Sequence, residues 1–148
     1  MISPQTVQEI EQIMFRYSFA MDTRQWDRMN AVFLPDAHII LGGHVHSSRD
    51  AGVGAIRGFI ECCSHTHHVN TNILVLEATE DQIRTISNFR AFHRGRGARA
   101  DEVLECMGTY TDVFRQGADG WRIAERQEES PVVIGDMEQF FSDFQPAA

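Results

Sequence analysis

Ile83-Arg84-Thr85-Ile86-Ser87-Asn88-Phe89-Arg90-Ala91-Phe92-His93 is the stretch on which the fold turns. Ile83, Thr85, Ser87, Phe89, Ala91 and His93 share one face at the period-two spacing of a β-strand. Glu80-Asp81 makes a turn before it, and an Arg/Gly stretch around Gly95 and Gly97 makes another after it. Three similar segments surround it, at 68–76, 103–114 and 121–130. Gly117-Ala118-Asp119-Gly120 supplies the turn between the last two, and Pro131 is expected to end the final strand.

The first half of the chain is helical in pattern. Val7, Ile10, Met14, Tyr17 and Met21 form an apolar stripe at helical spacing. Ser3 is placed to cap that helix, with Pro4 in its first turn. The helix is expected to run to about residue 20. A second, opened by Asp22 or Thr23, is expected through Trp26, Met29, Val32 and Phe33, stopping before Pro35. Residues 37–41 then form a strand ending at Gly42-Gly43, and His44-Val45-His46 continues it as a hairpin. A third helix follows, capped by Ser48 or Asp50, with Val53, Ile56, Phe59 and Ile60 on its apolar face. Asp136 to Phe144 is read as a short aromatic helix whose Phe140, Phe141 and Phe144 cover a pocket or a neighbouring subunit. Helices first and long antiparallel strands after them make an α+β fold, with helices on one face of a curved sheet. Such a sheet leaves a pocket at its open end. One domain is expected over 1–148.

Composition excludes much. The net charge of −8 argues against a nucleic-acid partner. No apolar run approaches the twenty or so residues of a membrane span. Residues 1–5 lack the pattern of a secretory signal, so a cytoplasmic location is expected. All 13 basic residues are arginine. Without a lysine there can be no Schiff-base, pyridoxal-phosphate or P-loop lysine. Gly52-x-Gly54 is followed by Arg57 where a dinucleotide fingerprint needs glycine. Cys62, Cys63 and Cys106 have no metal or disulfide spacing and read as small buried hydrophobes, the first two on a helix. His44, His46, His65, His67 and His68 could be arranged around zinc or copper, but no carboxylate or cysteine has matching spacing. No metal and no cofactor are expected, and side-chain acid–base chemistry, or binding alone, remains.

Tyr17, Asp22 and His68 are the candidates for that chemistry: a phenol, a carboxylate and an imidazole. Each also has a structural alternative. Asp22 is either the cap of the second helix or, if Thr23 does the capping, free to point inward. His68 faces the interior if His67 faces out. Tyr17 is a pocket donor or a core aromatic, as is Tyr110. Asn88 and His93 lie on opposite parities of one strand, so at most one can face the pocket. Trp26 walls the pocket or packs its helix. Arg126 binds a substrate oxygen or pairs at an edge with Glu125 or Glu128.

Tyr17 to Trp26, the Phe33-Leu34-Pro35-Asp36-Ala37 entry to a strand, the His68-Val69-Asn70-Thr71-Asn72 strand start, and Gly108 to Asp112 with Gly120 to Ile123 occur in order along the chain. Together they resemble the SnoaL-like family of the nuclear transport factor 2-like (NTF2-like) superfamily. The resemblance implies a cone-shaped α+β barrel with an interior pocket. Members include polyketide cyclases, steroid isomerases, epoxide hydrolases, scytalone and bile-acid dehydratases, dehydrochlorinases, dioxygenase β-subunits and transport factors. The dehydratases and dehydrochlorinases are similar in pairing an Asp after the first helix with a His on a strand, and the Tyr-x-x-x-x-Asp spacing resembles bile-acid dehydratase. The expectation is a cofactor-independent lyase or isomerase, using His68 held by Asp22 and assisted by Tyr17. Its substrate would be a hydrophobic, cyclic small molecule of polyketide, steroid or terpenoid type. Trp26, Asn88, His93, Tyr110 and Arg126 are the candidate binding residues. The alternative is a non-catalytic binding domain or a subunit of an oxygenase assembly. A homo-oligomer, dimer or trimer, is expected by resemblance.

Overall fold

The computed structural model describes residues 2–142. Ser3 accepts a hydrogen bond from the Thr6 amide at 3.0 Å and starts helix α1 (Pro4–Asp22). Its stripe buries Ile10, Ile13, Met14, Tyr17 and Met21, at about 1.5–3 kcal/mol for each large apolar side chain. Thr23 is the C-cap, and Arg24 then adopts a left-handed conformation (φ 55°). Glycine is usual at this position because it has no Cβ to clash.

The second helix of the sequence reading is only a 3₁₀ turn, Trp26–Ala31. Phe33 and Pro35 belong instead to strand β1 (Phe33–Leu41). Short apolar runs fit helix or strand periodicity equally well. Pro35 is tolerated because the ladder to the neighbouring strand is interrupted between Phe33 and His38. Strand β2 (His44–His46) closes the hairpin, and Ser48 caps helix α2 (Arg49–Glu61). Gly52 packs this helix onto β1, where a Cβ would meet the Ile39 side chain. Cys62 ends α2 and Cys63 begins the next strand, so the two cysteines do not share a helix.

Strands β3 (Cys63–Ala78), β4 (Gln82–Gly95), β5 (Val103–Gly117) and β6 (Gly120–Ile134) form the rest of the sheet. Every second residue of β4 from Ile83 to His93 is buried, as the opening stretch predicts. The order is β2-β1-β6-β5-β4-β3 in one curved sheet. The expected α+β curved sheet is present, with one detail corrected. The β1–β6 pair is parallel, so the sheet is mixed. β2 and β3 are free edges, so the barrel is not closed.

Pro131 does not end β6. Met107 pairs with Val132 and Thr109 with Glu129, so Ser130 and Pro131 stand opposite the single residue Gly108. This is a β-bulge, where a residue without an amide hydrogen is accommodated. Gly108 is required there, since a Cβ would strike the Glu129 carbonyl. Helix α3 (Met137–Phe140), capped by Asp136, ends the described chain with Phe140 buried. Phe144 lies outside the described residues.

Candidate active site

Packing of α1 on β3 brings the last residue of the helix to the strand histidine. The Asp22 carboxylate accepts three hydrogen bonds. One comes from His68 Nδ1 at 2.7 Å, one from the His68 amide at 2.9 Å and one from Thr66 Oγ at 2.8 Å. Burial pushes the Asp22 carboxyl up, but the His68 hydrogen bond and charge outweigh it, and the net direction is down. An ionised carboxylate can only accept, so His68 carries its proton on Nδ1. Nε2 has no hydrogen-bond partner among the described residues.

The turn after α1 is held by Arg24. Its guanidinium donates to the Asp22 and Cys63 carbonyls, the Ile60 carbonyl at the end of α2, and Thr66 Oγ. These bonds hold Arg24 in its left-handed conformation and fix Asp22 relative to β3. Asn70, also on the inner face of β3, ties the strand to α1 through the Met14 carbonyl and Ser18.

His68 lines a cavity of about 820 Å³ whose walls include Met21, Leu41, Ile56, Phe59, Phe89 and Ala91. Its volume lies within the range of small-molecule sites. Met137 and Phe141 complete one wall, and Phe141 packs edge-on against Phe59 at 5.1 Å between ring centroids. Of the aromatic tail, Phe141 therefore lines the pocket, and Phe140 does not. Asp22 stands behind His68, outside the lining.

Tyr17 and Tyr110 both line the cavity. Burial pushes the Tyr17 hydroxyl up to about 12 and that of Tyr110 well above its ordinary value, so both remain proton donors at neutral pH. Their rings flank the Arg126 guanidinium at 4.2 and 4.1 Å. Arg126 itself is completely buried and forms a two-pronged ion pair with Asp112, 2.7 Å on each arm. It is not part of the lining, and it is buried rather than an edge charge. Glu125 and Glu128 are not its partners.

His93 also lines the cavity, with its ring 5.5 Å from that of His68. Its Nδ1–H donates to the Leu104 carbonyl at 3.2 Å. Burial, and then the charge of His68, push it down from 6.5 to about 4. Asn88 faces the other side of the sheet and is exposed. Trp26 lies outside the cavity, in a separate cleft of about 230 Å³ with Arg49, Asp50 and Arg57.

The His93 shift has a sign that thermal denaturation can read. Between pH 6.5 and about 4 the unfolded chain binds a proton at His93 that the folded chain refuses. Stability is therefore lost as pH falls through that window, by up to about 3 kcal/mol. His93→Gln should flatten the fall in Tm over this range relative to wild type. Parallel curves for the two proteins would refute the assignment. Asp22 acts lower: its contribution is full above 3.8 and is lost as pH falls through its depressed value.

Thr66, Arg24, Asp112 and Glu128 were missed as site residues from sequence. Strand parity was the available signal for three of them. Thr66 lies two before His68, Asp112 two after Tyr110, and Glu128 two after Arg126.

Residues 5–127 match the model of the SnoaL-like domain. The chain belongs to the SnoaL-like domain family. An uncharacterized protein of Mycobacterium tuberculosis (strain ATCC 25618 / H37Rv) is 31% identical to this domain over 125 residues, 81% of this chain and 82% of that one. Among solved structures, a provisionally assigned scytalone dehydratase from Novosphingobium aromaticivorans superposes with a TM-score of 0.79. It is 23% identical over 88% of this chain and 87% of that one. The hexachlorocyclohexane dehydrochlorinase LinA-type3 of Novosphingobium barchaimii gives 0.74, with 12% identity over 86% and 88%. An NTF2-like superfamily protein of Salmonella enterica gives 0.76, with 14% identity over 90% and 96%. These structural likenesses are likenesses of fold. Among the described residues of this SnoaL-like domain, no helix is long and apolar enough to cross a membrane, and no three His, Cys, Asp or Glu side chains gather to hold a metal ion.

Proposed function

We propose that this SnoaL-like domain is a cofactor-independent lyase or isomerase that acts on a hydrophobic, cyclic small molecule through His68 and Asp22. The observation that carries the reading is the pairing of His68 Nδ1 with Asp22 at 2.7 Å, which leaves the opposite edge of the imidazole for an apolar cavity. His68 Nε2 takes a proton next to a carbonyl, and Asp22 stabilises the imidazolium that forms. Tyr17, still protonated at neutral pH, donates a hydrogen bond to the oxyanion, with Tyr110 beside it. The apolar walls account for a hydrophobic ring. The likeness in fold to a dehydrochlorinase and to a provisionally assigned dehydratase is compatible with elimination.

β-Tetralone, a bicyclic ketone with acidic α-protons, tests the base without knowledge of the natural substrate. In deuterated water the protein should accelerate loss of the α-proton NMR signals over buffer alone. Binding of the ketone with no acceleration would favour a non-catalytic binding domain and overturn the proposal.

A further inference from the structure

The face of the sheet turned away from the cavity is not built for water. Its residues are exposed or half-buried on every strand, so none of the described elements covers it. A solvated sheet face carries polar side chains at its outward positions. Here those positions include Leu74 and Val132, 59% and 48% exposed, with Ile86, Phe92, Met107 and Val113 half-buried among them. Apolar surface gathered in this way marks an interaction site. Five strands at about 4.8 Å and the length of β4 at about 3.4 Å per residue give a face of roughly 700 Å². One partner of a standard interface contributes about 800 Å².

Register arranges the side chains of this face in rows across the strands. One row runs Glu77, Arg84, Val113, Glu125, His38, from β3 to β1. Its chemistry is acid, base, neutral, acid, base, an order that becomes its own complement when reversed about Val113. Val113 lies on β5, the middle strand of the five. A two-fold axis along β5, between two such faces, sets β4 over the second copy's β6 and β3 over its β1. Arg84 then meets the second copy's Glu125, and Glu77 meets its His38. Among the described residues, Glu77, Arg84 and Glu125 form no ion pair within their own chain.

The neighbouring rows fit the same axis. Leu74, Ile86, Thr111, Gln127 and Ile40 form the next one, which sets Leu74 on Ile40 and Thr111 on its own copy. In the row after that, Asn88 meets Glu129, and Thr109 lies on the axis. Glu105, further along β5, would face its own copy, but Arg90 neutralises it at 2.6 Å. Twisted sheets stacked face to face cross at about 30°, so the contacts nearest the axis carry the interface.

We propose that the outer face of the sheet is a homodimer interface, with a second copy of this chain packed on it about a two-fold axis along β5. A second copy is the occupant because the complement of this order of charges is present on the face itself. The cavity opens on the opposite side of the sheet, so this interface is independent of the acid–base reading of His68. Either can fail while the other stands.

Sedimentation velocity of the full chain at micromolar concentration tests the proposal. Wild type should sediment as a dimer. Arg84→Glu and Glu125→Arg each set like charges face to face, and each should weaken association by about tenfold or more. Combining the two restores opposite charges and should recover the dimer. Both positions are exposed, so the circular dichroism spectrum of each variant should remain that of wild type. Thr111→Asp places two carboxylates against each other on the axis and should leave a monomer, which keeps the test open if Arg84→Glu does not fold. A monomeric wild type, a trimer, or a dimer indifferent to the charge reversals or to Thr111→Asp overturns the proposal. So does a double variant that associates no better than the single ones.

Discussion

His68→Ala should slow α-proton exchange of β-tetralone by roughly 10²–10⁴-fold, the contribution of a positioned general base. The side chain is 6% exposed and makes one side-chain hydrogen bond, so the circular dichroism spectrum should remain that of the folded protein. Asp22→Asn should be nearly as damaging for a different reason. Asp22 accepts from three donors, the His68 ring, the His68 amide and Thr66. An asparagine has one acceptor oxygen and an amino group that can only donate. The His68 ring and Thr66 share one carboxylate oxygen, and the His68 amide uses the other. The amide cannot cease to donate, so the asparagine oxygen stays with it and the amino group faces the ring and Thr66. The hydroxyl rotates, and the imidazole moves its proton to Nε2. That tautomer presents a proton to the cavity where a lone pair is needed. Exchange at the wild-type rate in both variants would sink the mechanism. Loss in His68→Ala alone would show that the carboxylate does not set the tautomer.

Arg126→Met should cost about 3–5 kcal/mol of stability, because it strands the Asp112 carboxylate with no solvent and no partner. For a chain of this size that corresponds to a fall in Tm of roughly 6–20 °C. Both side chains are completely enclosed, so water cannot relieve the lost pairing as it would at a surface. Combining Arg126→Met with Asp112→Leu removes the stranded charge, and the double variant should recover most of the lost Tm. Arg126→Lys should not rescue: an ammonium can neither grip both carboxylate oxygens nor lie flat between the Tyr17 and Tyr110 rings. A single variant within about 1 kcal/mol of wild type would refute the assignment. The pair also supports the site, since the guanidinium fixes the planes of the two tyrosines whose hydroxyl-bearing rings line the cavity.

The candidate site was partly legible from residue type and spacing. Asp22 ends an amphipathic helix whose stripe includes Tyr17, and His68 opens an apolar strand segment. Helix and strand periodicities are local properties that a sequence displays directly. Parity allowed at most one of His93 and Asn88 to face the pocket without saying which, and the structure places His93 there. Parity also turned His67 outward, where it is exposed. Arg126 was misplaced because its partner, Asp112, is fourteen residues away on the next strand, and pairing across strands depends on register. Trp26 was misplaced because the helix expected to carry it is a single 3₁₀ turn.

The same boundary runs through the whole molecule. The alternation from Ile83 to His93, the Ser3 and Ser48 caps and the absence of lysine are decided by residue identity alone. They set the α+β class and the kinds of chemistry open to the chain. Sheet order, the parallel β1–β6 pair and the bulge at Gly108 are decided only when distant segments meet. A one-residue slip in register turns side chains from one face of a sheet to the other. Whether Pro131 stops a strand, and which strands lie beside one another, is therefore settled by tertiary structure, and not by any local preference.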